Sequence, residues 1–299
     1  MHINTLFAAR CQLGEGAFWH PQRRSCCWVD IQESELFEYR LGSVGAVTST
    51  HSAVSRWRIP GNVSLIAEAA DDHLILGVSG GLLRFNLVTG EHTQVVSFEP
   101  ELPTNRCNDG GCDPLGRVWV GTMDRGCKDG AGSLYRVDTD GTVTRMLTKL
   151  SIPNGMAWSP DHKRMFFIDT PTQQVRAYLF DKDSGQIELE RTVITVPSDW
   201  GMPDGMAMDA EGMLWIALYN GACVTRWDPA TGELLDRIGL PALHVTNCAF
   251  IGDGLDSLLV TSASEGMSPE QLAAYPGSGD IFIISGMPVM GLPVNKARI

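Results

Sequence analysis

The sequence has 299 residues, of which 43% are hydrophobic, so it is long enough to bury one large core or two ordinary ones. The 23 Lys and Arg residues are outnumbered by 35 Asp and Glu residues, and the net charge of −12 argues against a nucleic-acid partner. No apolar run approaches the roughly 18 to 20 residues of a membrane span, and the opening MHINTLFAAR lacks the features of a signal peptide. We therefore expect a cytoplasmic protein that binds neither nucleic acid nor membrane.

Six related segments follow one another along the chain. Each has a short apolar strand, a polar turn, a second apolar strand and then further alternating strands, which is typical of antiparallel hairpins. In chain order the segments begin with EGAFWHPQRRSCCWVD, SLIAEAADDHLILGV, NDGGCDPLGRVWVGT, NGMAWSPDHKRMFFIDT, DGMAMDAEGMLWIAL and TNCAFIGDGLDSLLVTS. Helical periodicity is nearly absent, and SPEQLAAY, Ser268 to Tyr275, is at most a short turn of helix.

The spacing of these segments, 42 to 50 residues, predicts an all-β protein. The expected fold is a six-bladed β-propeller with four-stranded antiparallel blades around a central channel. We expect residues 1–299 to form a single domain of this kind, in which the N-terminal INTLFAAR adds the outer strand of the last blade and closes the ring. A pair of β-sandwiches is the main alternative.

Eight cysteines are spread along the chain, and none forms a C-x-x-C pair. Their number is low for a disulfide scaffold in a chain of this length, and their spacing matches neither a zinc ribbon nor a thioredoxin-type site. We expect all eight to be reduced and to pack as small apolar side chains. A functional thiol or a metal site is the alternative.

The first residue of each segment, here called its anchor, carries a side-chain oxygen. The anchors are Glu15, Ser64, Asn108, Asn154, Asp204 and Thr246. The innermost strand of each blade borders the channel of a propeller, so anchors just before these strands should form a ring at one channel mouth. Carboxylate and amide oxygens without His or Cys suit one divalent cation: calcium, magnesium, manganese or zinc. The preference of Asn and Asp for turns is the alternative explanation.

Four stretches resemble the regucalcin/gluconolactonase family of sugar-lactone lactonohydrolases, and the resemblance covers essentially the whole chain. The stretches are LGEGAFW, NRCNDGGCDPLGRVWVGTM, IPNGMAWSPDHKRMFFIDT and PDGMAMDAEGMLWIAL. The resemblance implies a six-bladed propeller that holds one divalent metal. The implied metal ligands are Glu15, Asn154 and Asp204, the same residues that the repeat pattern selects.

The resemblance also implies substrate contacts. These carry over to Arg106 and Asn108 in RCND. Some relatives have a substrate-contacting acid shortly after Gly-Thr-Met, and Asp124 is the nearest candidate in GTMDRGCKDG. A further departure from the family pattern is Ala17, which replaces the usual proline after Gly-Glu-Gly.

The function predicted from these features is the metal-dependent opening of a small sugar-acid lactone. The cation would polarise the ring carbonyl, and either the cation or Asp204, acting as catalytic base as well as ligand, would activate the attacking water. Arg106 would donate hydrogen bonds to sugar hydroxyls or to the acid product. The alternatives are a phosphotriesterase-like hydrolase on the same scaffold and a non-catalytic propeller that binds calcium or a protein. The protein is expected to be a monomer or a weak homo-oligomer.

Overall fold

The computed structural model describes residues 1–42 and 54–299 and arranges them in six four-stranded antiparallel sheets. Strand β1 (His2–Phe7) precedes the repeats. The first three blades contain β2 (Gly14–His20), β3 (Ser25–Asp30), β4 (Glu35–Arg40), β5 (Val54–Arg58); β6 (Leu65–Glu68), β7 (His73–Val78), β8 (Gly81–Asn86), β9 (His92–Ser97); β10 (Asn105–Cys112), β11 (Val118–Asp124), β12 (Gly132–Val137) and β13 (Val143–Leu150).

The other three blades follow the same order from the channel outward. They contain β14 (Pro153–Trp158), β15 (Arg164–Asp169), β16 (Gln174–Phe180), β17 (Ile187–Thr195); β18 (Met202–Met208), β19 (Leu214–Tyr219), β20 (Cys223–Trp227), β21 (Leu234–Gly239); β22 (His244–Ile251), β23 (Ser257–Ala263) and β24 (Ile281–Ser285). The predicted six-bladed β-propeller is therefore confirmed.

The last blade is completed by the first strand of the chain. Strand β1 pairs antiparallel with β24, with His2 opposite Ser285 and Thr5 opposite Phe282. This pairing confirms the predicted closure of the ring by the N-terminal strand and gives β24 a partner on its outer edge.

Helical structure is scarce, as the sequence predicts. One α-helix, α1 (Pro269–Ala274), begins after the capping residue Ser268, and a 3₁₀ turn spans Thr170–Thr172. Within residues 1–42 and 54–299, no helix combines the length and the apolar composition that a membrane crossing requires.

The middle strands carry the largest buried side chains. Trp119 in β11 and Trp215 in β19 are fully buried, and each indole nitrogen donates at 3.0 Å to a buried aspartate in the turn before its strand, Asp113 and Asp209 respectively. Both aspartates occupy the polar turn of their repeat. These bonds satisfy buried polar atoms while the rings pack between neighbouring strands, which fixes each inner strand against the second strand of its blade.

Five of the six inner strands contain a β-bulge beside the anchor. The shifts in register lie between Glu15 and Phe18, Cys107 and Gly110, Asn154 and Met156, Pro203 and Met206, and Val245 and Asn247. An inserted residue bends a strand and changes the direction of neighbouring side chains. The prediction that every anchor precedes its inner strand is wrong: only Ser64 does so, and the other five lie within their strands.

The C-terminal strap, residues 290–298, crosses the end of the channel that is opposite to the anchors. At one end of the strap, the Met290 carbonyl oxygen accepts a hydrogen bond from Ala210 N in blade 5 at 2.8 Å. At the other end, Ala297 N donates to the Glu68 carbonyl oxygen in blade 2 at 2.7 Å. The strap therefore links blades on opposite sides of the ring.

Candidate active site

Arg106 and Asn108 lie on the inner strand β10 of blade 3, where their side chains are only 9% and 8% exposed. Arg106 Nη1 donates to Asn108 Oδ1 at 2.6 Å and to the Cys107 carbonyl oxygen at 2.9 Å. Burial lowers the pKa of the guanidinium, and the charge of the nearby Glu15 opposes this shift. Within the described part of the chain Arg106 donates no hydrogen bond from Nε or Nη2, which leaves both free to meet a ligand.

A chain of hydrogen bonds connects blade 3 to blades 4 and 5. Asn108 Nδ2 donates to Asn154 Oδ1 at 2.9 Å, and Asn154 Nδ2 donates to Thr170 Oγ1 at 2.8 Å. The Thr170 hydroxyl itself donates to the Pro203 carbonyl oxygen at 2.8 Å, so its oxygen is the acceptor of the Asn154 bond. Thr170 thereby fixes the amide of Asn154 with Oδ1 turned away from it, toward Asn108.

Asp204 is a buried carboxylate that forms no salt bridge within the described residues, although the charge of Arg106 partly offsets its own. It follows Pro203 on the inner strand β18 and is 6% exposed. Its Oδ1 atom is buried and has no hydrogen-bond partner among the described residues. Burial, together with the charges of Glu15 and Asp109, raises the pKa of Asp204 well above its usual range. A carboxylate in this situation is costly unless a proton or a cation neutralises it.

Glu15 is held in place by its own blade and by blade 6. Its Oε2 atom accepts from Gly16 N at 3.0 Å and from Asn247 Nδ2 at 3.1 Å. Burial raises the pKa of Glu15 to about 8, and the charge of Asp109 contributes to the shift. Asn247 also lies against blade 5, because a Cβ atom added to Gly205 would be 2.3 Å from its Cγ. The side chain of Asn247 therefore lies between Glu15 and the residue next to Asp204.

These side chains form a donor set that fits a divalent cation. Glu15 and Asp204 supply two carboxylates, and Asn154 supplies an amide oxygen whose orientation is fixed. No group of three or more His, Cys, Asp or Glu residues suited to a metal occurs within the described ranges, so a cation here would depend on the amide. A cation would neutralise the two buried carboxylates and give Asp204 Oδ1 a partner.

Asp109 is a third carboxylate near this site, and the repeat pattern does not single it out. It follows Asn108 in the bulge of β10, and its Oδ1 accepts from Gly110 N at 2.7 Å. Burial raises the pKa of Asp109 to about 6. Because Asp109 acts on the pKa of both Glu15 and Asp204, the two predicted carboxylate ligands belong to a cluster of three acids.

Asp124 lies at the end of β11, where it pairs with Asn105 next to Arg106. Its Oδ1 accepts from Gly126 N at 2.8 Å, and hydrogen bonds from Thr104 and Gly126 lower the pKa of Asp124. The carboxylate therefore closes its own turn. None of the described hydrogen bonds connects it to the cluster around Asp204.

The predicted ring of six oxygens is incomplete at Thr246. Thr246 Oγ1 contacts the hydroxyl of Thr261 at 2.8 Å and donates to the Gly14 carbonyl oxygen at 2.5 Å, so it connects strands instead of facing the acids. Its neighbour Asn247, on the other side of the bulge, takes the place beside Glu15. Ser64 is buried, and its hydroxyl has no partner within the described residues.

An aromatic pair lies at the same end of the inner strands. The rings of Tyr219 and His244 stack with centroids 4.1 Å apart, and Tyr219 is opposite Met202 on the strand that carries Asp204. Burial, with the charges of Glu265 and Asp204, raises the pKa of the Tyr219 phenol above its usual range. The pair gives this mouth of the channel a flat wall near the carboxylates.

A family model and curated relatives place the sequence among the same group of proteins. Residues 13–264 match the model of a family described as the SMP-30/Gluconolactonase/LRE-like region. The chain is 32% identical over 274 residues to the provisionally named sugar lactone lactonase YvrE of Bacillus subtilis (strain 168), covering 91% of both chains. It is also 32% identical over 295 residues to regucalcin of Homo sapiens, covering 97% of this chain and 96% of the other.

A solved structure shows the same similarity. The calcium-binding protein regucalcin from Agrobacterium tumefaciens superimposes with a TM-score of 0.91 at 32% identity, covering 99% of this chain and 97% of the other. This similarity extends over all six blades, because almost the entire length of both chains takes part.

Proposed function

Because the chain belongs to the SMP-30/gluconolactonase/LRE-like family, we propose that it is a metal-dependent hydrolase that opens a sugar lactone to the sugar acid. The observation that carries this proposal is the pair of buried carboxylates, Glu15 and Asp204, beside the oriented amide of Asn154. The names of relatives, sugar lactone lactonase among them, support the substrate class.

In this proposal Glu15, Asn154 and Asp204 hold the cation. A bound divalent cation supplies Lewis-acid stabilisation of the negative charge that develops on a carbonyl oxygen under attack by water. Thr170 and Asn247 do not ligate; they orient Asn154 and Glu15 through the hydrogen bonds described above.

Asp204 and Arg106 have different proposed roles toward the substrate. Asp204 Oδ1 has no hydrogen-bond partner among residues 1–42 and 54–299, and Asp204 would accept a proton from the attacking water. Arg106 would donate from Nε and Nη2 to sugar hydroxyls or to the carboxylate product, while Nη1 stays on Asn108. Asn108 would thereby hold the guanidinium in place and border the substrate. Asp124 remains a proposed substrate contact, although its Oδ1 already accepts a hydrogen bond from Gly126 N.

The first experiment is a lactonase assay with four aldonolactones: gluconolactone, xylonolactone, arabinonolactone and fuconolactone. Ring opening is followed by acid release with calcium, zinc, manganese or magnesium, and after removal of metal with a chelator. We expect hydrolysis of at least one lactone that is lost with the chelator and restored by metal. Absence of lactone opening with all four metals would refute the proposal. Hydrolysis of a phosphotriester instead, or cation binding without any hydrolysis, would favour the two alternative functions.

The second experiment separates the metal ligand from the substrate contact. Asp204→Asn removes a charge and the proposed base, so turnover should fall by about 10²-fold or more even at saturating metal. The matched control is Asp209→Asn, which alters a buried aspartate of the same blade that pairs with Arg226 and not with the cluster. This control should lower stability and leave metal affinity unchanged.

Arg106→Ala should behave differently. Metal should stay bound, and the loss of kcat/KM should be large for hydroxylated sugar lactones and small for an unsubstituted lactone. Equal losses on both substrates would assign Arg106 to folding or to the chemical step. Near-normal turnover of Asp204→Asn would show that Asp204 is neither an essential ligand nor the base.

The state of the cysteines supports a reducing compartment, and we extend the proposal to a cytoplasmic location. All eight are free, and seven of them are buried.

A further inference from the structure

The channel contains a cavity of about 410 Å³ that the proposed lactonase chemistry does not use. Its walls come from the inner strands of all six blades, starting one or two residues after the anchors. Gly16 lines it but Glu15 does not, and Met206 lines it but Asp204 does not. The layer formed by the anchors therefore separates this cavity from the mouth where Tyr219 and His244 lie.

The other end of the cavity is bordered by the C-terminal strap. Leu292, Pro293, Val294 and Asn295 line it there, after the strap has left blade 5 and before it reaches blade 2. A volume of this size lies within the range of roughly 300 to 1,000 Å³ of small-molecule sites. The cavity is thus bounded by the anchor layer at one end and by the strap at the other, and it has enough space for a small organic molecule.

The cavity has apolar walls along part of its length and polar groups at one end. Met156, Trp158 and Met208 provide soft apolar walls, which suit an aromatic or aliphatic body. The end below the anchors carries Asp109, a partly exposed carboxylate whose only described hydrogen bond is from Gly110 N to Oδ1. Asn247 also borders the cavity; its Nδ2 donates one hydrogen to Glu15, so its Oδ1 and the second Nδ2 hydrogen are left for a ligand.

The polar end of the cavity therefore offers acceptors, and the residues described as lining the cavity include one carboxylate but neither Lys nor Arg. A ligand group with several donors can satisfy the Asp109 carboxylate and Asn247 Oδ1 at this end. A carboxylate ligand, such as a sugar acid, would meet Asp109 with a like charge and no compensating cation from the walls. This makes the cavity chemically unlike the neighbouring site, where Arg106 can meet an acid.

We propose that this cavity is a second binding site, which takes a small organic amine with its ammonium group on Asp109 and Asn247 and its apolar body against the methionine and tryptophan walls. Such a ligand satisfies the acceptors with charge-assisted hydrogen bonds. Its body removes apolar wall from water. The site is spatially distinct from the proposed lactone site, because the anchor layer lies between the two, although Asn247 borders the cavity and also donates to Glu15.

The test uses three probes with the same ring and different head groups: 2-phenylethylamine, 2-phenylethanol and phenylacetate. Each is titrated calorimetrically into the metal-loaded protein at mildly alkaline pH. We expect one amine to bind per chain, about tenfold or more tighter than the alcohol, and phenylacetate not to bind. Equal affinity for amine and alcohol would overturn the proposal, because the ammonium group would then not be recognised. No saturable binding of the amine would also overturn it, because the cavity would then hold only water.

Two variants place the binding in this cavity. A Cβ atom added to Gly111 would lie 3.4 Å from the Trp158 ring and 3.6 Å from Met156 Cγ, so Gly111→Leu extends into the cavity against flexible side chains. Ala249→Leu fills the same space from blade 6 and serves if the first variant does not fold. Either folded variant, checked by its melting temperature, should weaken amine binding by about tenfold or more. Unchanged amine affinity in a folded filling variant would place the amine elsewhere and refute the assignment.

Asp109→Asn tests the recognition of charge. It keeps the shape of the side chain, so the alcohol should bind as before and the preference for the amine should disappear. A preference that persists in this variant would show that Asp109 does not hold the ammonium group.

Discussion

Thr170 offers a sharp test of the candidate metal site, because it supports Asn154 without belonging to the proposed ligands. Its hydroxyl accepts from Asn154 Nδ2 and donates to the Pro203 carbonyl oxygen, both at 2.8 Å. Thr170→Val keeps the shape and removes both bonds. Each of the two buried partners left unsatisfied costs about 1–3 kcal/mol, so stability should fall by about 2–6 kcal/mol. Loss of an orienting partner of a ligand should weaken metal binding by about 10- to 100-fold.

Thr225 provides a control with the same bonding pattern away from the site. Its buried hydroxyl donates to the Ile216 carbonyl oxygen at 3.1 Å and accepts from Trp227 Nε1 at 2.8 Å. Thr225→Val should lose similar stability in urea unfolding of the metal-free protein. Its metal affinity, measured by calorimetry with calcium and with zinc, should equal that of the unchanged protein.

The comparison of these two variants decides the role of Thr170. If Thr170→Val binds metal as tightly as Thr225→Val does, the bond to Asn154 serves the fold alone. Asn154 would then not be an oriented ligand. Thr170→Ser restores the hydroxyl and should recover most of the metal affinity, which separates the lost hydrogen bonds from a change in packing.

Three further predictions concern pH, thiols and the strap. The pKa of Glu15 is raised from 4.5 to about 8, so between these pH values the folded metal-free protein retains a proton that the unfolded chain has released. The melting temperature of the metal-free protein should therefore fall as the pH rises from 4.5 to about 8. With saturating calcium the fall should be smaller. A thiol reagent should modify one cysteine in the native protein, the exposed Cys127, and all eight after denaturation without reductant; fewer than eight would contradict a reduced state. A Cβ atom on Gly291 would lie 2.2 Å from Phe250 Cβ, so Gly291→Ala should destabilise the protein by about 1–3 kcal/mol, whereas Gly239→Ala, which meets nothing within 4 Å, should not.

The repeat pattern predicted the fold well because the same strands and polar turns recur from blade to blade. Asp113 and Asp209 occupy the same turn in two repeats and receive the same indole hydrogen bond. The apolar strands on either side of such turns are mostly buried, and the alternation of strands and turns indicates the number of strands in each blade. Closure by the first strand follows from the need to cover an outer edge, and INTLFAAR supplied a strand with no other partner.

The details of the site were less predictable because the spacing of the repeats does not reveal where a strand contains a β-bulge. The bulge in β22 decides whether the side chain of Thr246 or that of Asn247 reaches Glu15. An alignment of the repeats cannot show which of these two adjacent side chains faces the site. Asp109 could have been found by asking which residue follows each anchor. Thr170 carries no pattern of its own, since its role depends on the approach of Pro203 from the next blade.

The pairing of β1 with β24 also has a consequence for how the chain reaches its native state. His2 and Ser285 are neighbours in the sheet although almost the whole chain separates them. Contacts of such long range require loop entropy to be lost before they contribute, so ring closure belongs to the late and slow steps of folding. During synthesis the first strand emerges earliest and must wait unpaired until the last blade is available. The residues that finish the propeller are therefore the ones exposed longest to proteases and to other nascent chains.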